Sequence, residues 1–391
     1  MVSVRITDIK LMVLKDPDTP PWNLIRVDTD QGIWGLGEAY WGWGLRPVID
    51  QQLKPLLVGE DPLDVDRLYT KMAFHGGGAH ALSGLVVSAM SGIEIALWDL
   101  AGKLTGLPVY RLLGGKFRDR VRLYRTGLPA DILSLDCCRE YAAKTRQEGW
   151  TAIKTMDVEG LGLRYDPQYQ EPGHERLSRR LTALDLKRAE KAMQNLRLAF
   201  GEDFDIAVHC HWAFDLRDGL ELARRLADYR PIWLEDPLPP QFSPAWVHLR
   251  SASPVPICTG ENLYTRHEFR PFIEEHGTDI VQIDIPKSGG LLETKRIADM
   301  ADTHYMSICA HNASSIVGYI ASAHVASTIR GFYLMERAGG DWPWLEDLVV
   351  HDRPLIQDGY IRVPEGPGLG IELNPEAVQE HLAPGECYWG N

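Results

Sequence analysis

Short apolar runs that each end on an acidic residue or a histidine recur through the second half of this chain. They close on His209, Glu235, Glu261, Asp284 and His311. His209 to Glu235 and Glu235 to Glu261 are equal steps of 26 residues, about the length of one strand–helix unit. Polar groups at the C-terminal ends of successive buried strands mark a parallel barrel that gathers its chemistry at one rim. Side chains so placed converge on a single point.

From about residue 120 the chain alternates between strand and helix patterns. Eight strands are predicted, over 120–126, 151–156, 205–211, 231–236, 255–261, 280–286, 307–311 and 331–336. That count and spacing imply an α/β fold, a closed TIM-like (β/α) barrel over 119–351, rather than an open sheet. Residues 1–118 read as an α+β capping domain. VRITDIKLMVL and LIRVDTDQGIWGLGEA carry strand alternation, and RPVIDQQLKPLLVG is helical. FHGGGAHALSG is a glycine-rich loop, and LVVSAMSGIEIALWDLAGKLTG is a long helix stopped by Gly106 and Pro108. The tail, about 352–391, is expected to pack back on this first domain and complete it. Between strands two and three lies DVEGLGLRYDPQYQEPGHERLSRRL, too polar and too rich in Gly and Pro for a buried element. It is either a lid over the catalytic face or a surface excursion used in oligomer contacts.

A formal net charge of −13 argues against nucleic acid or an anionic membrane as partner. A small anionic substrate is still compatible, because a bound divalent cation overrides the overall field locally. The 6 cysteines show no CxxC pair, and Cys210, Cys258 and Cys309 fall in apolar strand runs as small buried hydrophobes. The N-terminus lacks the basic-then-apolar pattern of a signal peptide, and no apolar stretch is read as long enough to cross a membrane. A reduced, cytoplasmic setting is the expectation.

Glu235 and Glu261 are hard oxygen donors suited to Mg²⁺, although one strand-end glutamate alone serves equally well in an ion pair to the next helix. A third ligand is expected from VHCHWAF. There His209 and His211 are two apart, so on a continuing strand both face the barrel mouth. The blander alternative is one core histidine and one helix cap. Asp284 and His311 form a general-base dyad if their strands adjoin, the carboxylate fixing the imidazole tautomer. Glu336 ends strand eight, as a hydrogen-bond donor to a developing oxyanion or as a structural ion pair.

In order and spacing these residues resemble the mandelate racemase subgroup of the enolase superfamily. The match runs through IEIALWDLAGKLTGLPVYRLLGG and the barrel as far as LME. Asp284, with four residues between it and Gly289–Gly290, separates the chain from the muconate-cycloisomerase-like subgroup, which carries a lysine there. Mannonate dehydratases, also similar, lack the dyad aspartate. The resemblance implies removal of a proton α to a carboxylate, with a divalent cation stabilising the resulting charge.

Two departures shape the expected reaction. The racemases end strand two in K-x-K; here Lys154 is present and Met156 stands in place of the second lysine, so two-base racemisation is disfavoured. Lys154 is left to hold the substrate carboxylate or to act as a base. His209 replaces the usual aspartate ligand, lowering ligand charge and favouring Mn²⁺ or another softer ion beside Mg²⁺. His211 is placed as in acid-sugar dehydratases of the galactonate type, where the equivalent histidine protonates the departing 3-hydroxyl.

The leading expectation is therefore a hydro-lyase acting on a small-molecule acid sugar. Alternatives are an epimerase, a sugar-lactone cycloisomerase, or a non-catalytic metabolite-binding protein on the same scaffold. The capping loops are expected to line the distal end of the substrate, with Trp41 and His75 as contacts, and with Arg164 and Tyr165 reaching in from the long loop. A homo-oligomer is expected by the same resemblance.

Overall fold

The computed structural model describes residues 4–75, 82–157, 181–338 and 342–390. Strands β1 (Ile6–Leu14), β2 (Trp22–Thr29) and β3 (Trp34–Ala39) form an antiparallel sheet in that order. One face of it, including Ile9, Ile25 and Val27, shares a core with Ile93, Ala96 and Leu100 of helix Gly84–Thr105. Against the sequence expectation, this 22-residue helix is long and apolar enough to cross a bilayer by length and composition. Its apolar faces are instead used inside the protein, where 78% of the window is buried.

Eight strands follow: β4 (Arg120–Thr126), β5 (Ala152–Asp157), β6 (Asp205–His209), β7 (Leu234–Glu235), β8 (Ile257–Thr259), β9 (Ile280–Asp284), β10 (Ser307–His311) and β11 (Phe332–Arg337). Each pairs parallel with the next, and β11 pairs parallel with β4, closing the ring. The interior is plugged by one side chain from each strand or its lead-in: Tyr124, Ala152, Ala207, Trp233, Cys258, Ile280, Cys309 and Leu334. Small and large side chains share this buried layer, so the barrel is a packed core and not a pore.

The tail divides its contacts. Tyr360–Arg362 pairs antiparallel with the start of β4. Further on, Ala383 N–H donates to Val13 O (2.9 Å) and Lys15 N–H to His381 O (2.9 Å) along β1.

Buried carboxylates of the first domain fasten it to the rest. Glu94, in the middle of the long helix, accepts from the N–H groups of Leu291 (2.7 Å) and Leu292 (3.0 Å) at the start of helix Gly290–Thr303. Asp99, one turn on, accepts from Leu36 (2.7 Å) and Leu369 (2.7 Å). Helix N-termini present unpaired N–H groups and a positive dipole end, so a carboxylate is the natural partner. Gly290 makes the approach feasible: its φ is +86°, and a Cβ there would stand 2.1 Å from Glu94 Oε2. Gly290→Ala is expected to destabilise the protein by about 3 kcal/mol, through the left-handed backbone and the displaced carboxylate. A urea melt showing an unchanged midpoint would contradict this account.

Candidate active site

Alternation along the strands carries the polar groups to one rim. Lys154, His209, Glu235, His311 and Glu336 each stand two positions beyond a plug residue: Ala152, Ala207, Trp233, Cys309 and Leu334 respectively. A period of two puts each on the inner face, one step nearer the C-terminal mouth. Glu261 breaks the count, coming three residues after Cys258. Gly260 between them has φ +137°, and a Cβ there would stand 2.2 Å from Gln282 O. Only glycine permits that turn, which restores Glu261 to the cavity wall.

His211 also reaches the site by a route the pattern did not indicate. β6 ends at His209 rather than continuing to 211, and His211 and Trp212 both have φ 47°. The left-handed turn folds His211 back on His209, with ring centroids 3.7 Å apart. Both rings line the cavity, through a turn and not through strand alternation.

Three ligand atoms, one each from His209, Glu235 and Glu261, lie within 4.8 Å of one another. His209 Nε2 is 3.6 Å from Glu235 Oε1 and 3.8 Å from Glu261 Oε2. His209 Nε2 and Glu261 Oε2 are buried, and neither has a hydrogen-bond partner among the described residues. Burial, joined by Lys154 and His211, holds the His209 imidazole well below its ordinary pKa, so it is neutral with a lone pair available. Burial raises Glu261 above the usual carboxylate range, although His311 opposes it. A neutral imidazole and two carboxylates, with the imidazole Nε2 and Glu261 Oε2 unsatisfied, suit a divalent cation.

Beside this triad, Lys154 Nζ meets Glu235 Oε1 at 2.6 Å and Glu336 Oε1 at 3.0 Å. Burial works against its charge, but the carboxylates outweigh burial and hold Lys154 above the ordinary lysine value. Of the two alternatives for Glu336, the structure shows an ion pair, with Lys154. Burial raises Glu336, yet Lys154 and His311 outweigh burial and keep it below its usual value. It accepts from Thr126 Oγ1 (2.5 Å) and Tyr124 Oη (3.2 Å) as well as from Lys154. A carboxylate held anionic by three donors cannot give a proton to an oxyanion; here it positions Lys154.

The dyad strands do adjoin. Asp284 and His311 are register partners on β9 and β10, with Asp284 Oδ2 2.6 Å from His311 Nδ1. The other ring nitrogen, Nε2, faces Glu261 (3.5 Å) and Glu336 (3.6 Å). Burial lowers the His311 pKa, but Glu261, Glu336 and Asp284 together push it up to about 9.

These groups open into a cavity of about 810 Å³. Trp41 lines it, as expected, whereas His75 is exposed at the end of helix Val65–His75 and does not. Arg164 and Tyr165, with the long loop that carries them, lie outside the described residues. Several wall residues were not singled out from the sequence: Arg125 and Thr126 at the end of β4, Asn262, and Lys287. Strand-end position was the signal for the first two. Asn262 directly follows Glu261, and Lys287 lies three residues beyond Asp284.

Family models match both parts of the chain. Residues 9–114 match the mandelate racemase / muconate lactonizing enzyme N-terminal domain, and residues 137–377 match the enolase C-terminal domain-like family. The chain belongs to the mandelate racemase / muconate lactonizing enzyme family of the enolase superfamily. It is 40% identical to a D-xylonate dehydratase of Haloferax volcanii, over 98% of this chain and 90% of that one. It is 29% identical to a D-galactonate dehydratase of Ralstonia nicotianae, over 92% and 91%. A mandelate racemase/muconate lactonizing enzyme-like protein from Rubrobacter xylanophilus superposes with a TM-score of 0.87 at 35% identity, covering 99% of this chain and all of that one.

The family implies a divalent metal, and its charge would act directly on His311. Raised to about 9, His311 is imidazolium at neutral pH in the metal-free protein. A cation on Glu261 removes the largest influence that raises it, so metal binding at about pH 8 should expel a proton. Calorimetric heats of Mg²⁺ or Mn²⁺ binding should therefore vary with the ionisation heat of the buffer, and His311→Asn should abolish that dependence. Buffer-independent heats in the wild type would place His311 neutral from the start.

Proposed function

We propose that this protein is a divalent-metal-dependent acid-sugar dehydratase, converting an aldonate or aldarate to a 2-keto-3-deoxy acid. The observation that carries the reading is the placement of two histidines. His311 ends β10, while His211 follows β6, four strands away in a ring of eight and so across the mouth. The triad of possible metal ligands lies on β6, on β7 and just beyond β8, along the arc that joins them. The dehydratases among the relatives support the same reaction class.

His209, Glu235 and Glu261 would hold the cation, Mg²⁺ by the two carboxylates and Mn²⁺ as the alternative that the imidazole favours. When bound, it supplies the positive charge without which the α-proton of a carboxylate is too weakly acidic for an imidazole base. Lys154, oriented by Glu336, offers a second positive contact to the substrate carboxylate. His311, fixed by Asp284, takes the proton from carbon 2. The electron pair released forms the carbon 2–carbon 3 double bond as the carbon 3–oxygen bond breaks. His211 gives its proton to the departing hydroxide, and water leaves. The enol then tautomerises to the 2-keto acid. The reaction requires the two imidazoles to start in opposite protonation states.

An epimerase that used Lys154 as a second base is disfavoured by the same geometry, because two carboxylates keep that ammonium charged. Incubation with Mg²⁺ or Mn²⁺ and a panel of stereoisomeric aldonates and aldarates should yield 2-keto acid from at least one. Metal binding with a blank panel would overturn the dehydratase reading in favour of an isomerase, and no metal binding in favour of a binding protein. His311→Asn should lower turnover by about 10³-fold or more and stop exchange of the α-proton with solvent. His211→Asn should stop dehydration while leaving that exchange, and loss of both would count against His211 as acid. His209→Asp should tighten Mg²⁺, and an unchanged affinity would remove His209 from the ligand set.

A further inference from the structure

Two lysines are buried among the described residues, Lys154 and Lys287. Lys154 is held between two carboxylates. Lys287 has none within 4.0 Å among the described residues, yet it is only 5% exposed and lines the cavity. Its Nζ donates to Asn262 Oδ1 at 2.8 Å. It also lies 4.5 Å from the ring centre of Tyr40 and 5.5 Å from that of Tyr264. Tyr40 comes from the capping domain, and its N–H donates to Pro286 O at 3.0 Å, pinning that loop over the segment that carries Lys287.

Burying an ammonium group among neutral partners is costly, and two ring faces and an amide offset only part of it. Burial pulls the Lys287 pKa down even with Asp284 and Glu261 in the neighbourhood to raise it. A methionine of similar length would fill the space without that cost. A cation retained on such terms in a cavity wall is poised for a ligand oxygen. The reacting end of an acid sugar is already accounted for by Lys154, the metal-type triad and His311. Lys287 instead meets the capping loop, where the remainder of the sugar chain must run.

We infer that Lys287 is a substrate-specificity residue, whose ammonium group, beneath Tyr40, receives an oxygen substituent of the acid sugar beyond the two reacting carbons. This rests on the dehydratase reading above. The test compares wild type, Lys287→Met and Lys287→Arg across acid sugars of one configuration at carbons 2 and 3 that differ from carbon 4 onward, including 4-deoxy and second-carboxylate members. For Lys287→Met, KM for the preferred substrate should rise by roughly 30-fold, the loss of one charged hydrogen bond, with kcat changed far less. Discrimination among panel members should shrink, Lys287→Arg should restore part of it, and the melting temperature should hold or rise because an uncompensated buried charge has gone. A uniform loss on all substrates with a lower melting temperature would make Lys287 a tether between cap and barrel and overturn the inference. Unaltered kinetics in Lys287→Met would overturn it while leaving the dehydratase reading intact. If the wild type forms no 2-keto acid from any member, both fail together.

Discussion

Five carboxylates are buried at one rim of the barrel, those of Glu235, Asp236, Glu261, Asp284 and Glu336. Much of the site follows from that crowding. Like charges so close in a water-poor setting must gain counter-charge, become protonated, or be hydrogen-bonded. Lys154 answers Glu235 and Glu336 directly. His311 answers Asp284 and is drawn toward its charged form by Glu261 and Glu336. Among the described residues Glu261 Oε2 has no hydrogen-bond partner, nor has Nε2 of the neutral His209 beside it, and Asp284 Oδ1 and Asp236 Oδ2 are unpartnered as well. The metal-type triad thus includes one of the places where this crowding is least compensated, and the same crowding pairs Glu336 with Lys154.

The capping domain is bound to this arrangement by charge as well as by apolar packing. Glu38 at the end of β3 accepts from Ser315 N–H (2.8 Å), Ser315 Oγ (2.5 Å) and Gly318 N–H (2.8 Å), at the start of the helix that follows His311. Burial outweighs those bonds and pushes its pKa up to about 7. Trp22 Nε1 donates to Ala313 O (3.0 Å), two residues past His311. With Glu94 at the next helix N-terminus, the cap holds the loops after β9 and β10, the two strands that carry the dyad. The capping domain is therefore fixed to the loops that carry the proposed acid–base groups.

The barrel was legible because its strands are short, apolar and evenly spaced, and because a parallel strand is buried on both faces. All eight predicted strands are present, although the third is two residues shorter than expected and the fourth and fifth reduce to brief ladders. The dyad was legible for the same reason, since register alone brings Asp284 opposite His311. The long helix Gly84–Thr105 was legible as a helix, but its fitness for a bilayer was hidden by attention to uninterrupted apolar runs. His75 failed as a cavity contact because its helix ends at the surface, a fact of domain placement that no local pattern encodes.

Residue order and spacing by themselves determined the fold class, the shared rim and the identity of the groups that meet there, because strand periodicity and unit length are local properties. Tertiary structure alone decided how those groups are charged. The anionic Glu336, the neutral His209, the raised His311 and the buried Lys287, without a carboxylate partner among the described residues, all depend on distances between strands far apart in the chain. So does the turn at His211, where a left-handed backbone achieves what a longer strand was expected to do. Sequence names donors and acceptors; burial and neighbours, which arise only when the ring closes under its cap, assign their protons.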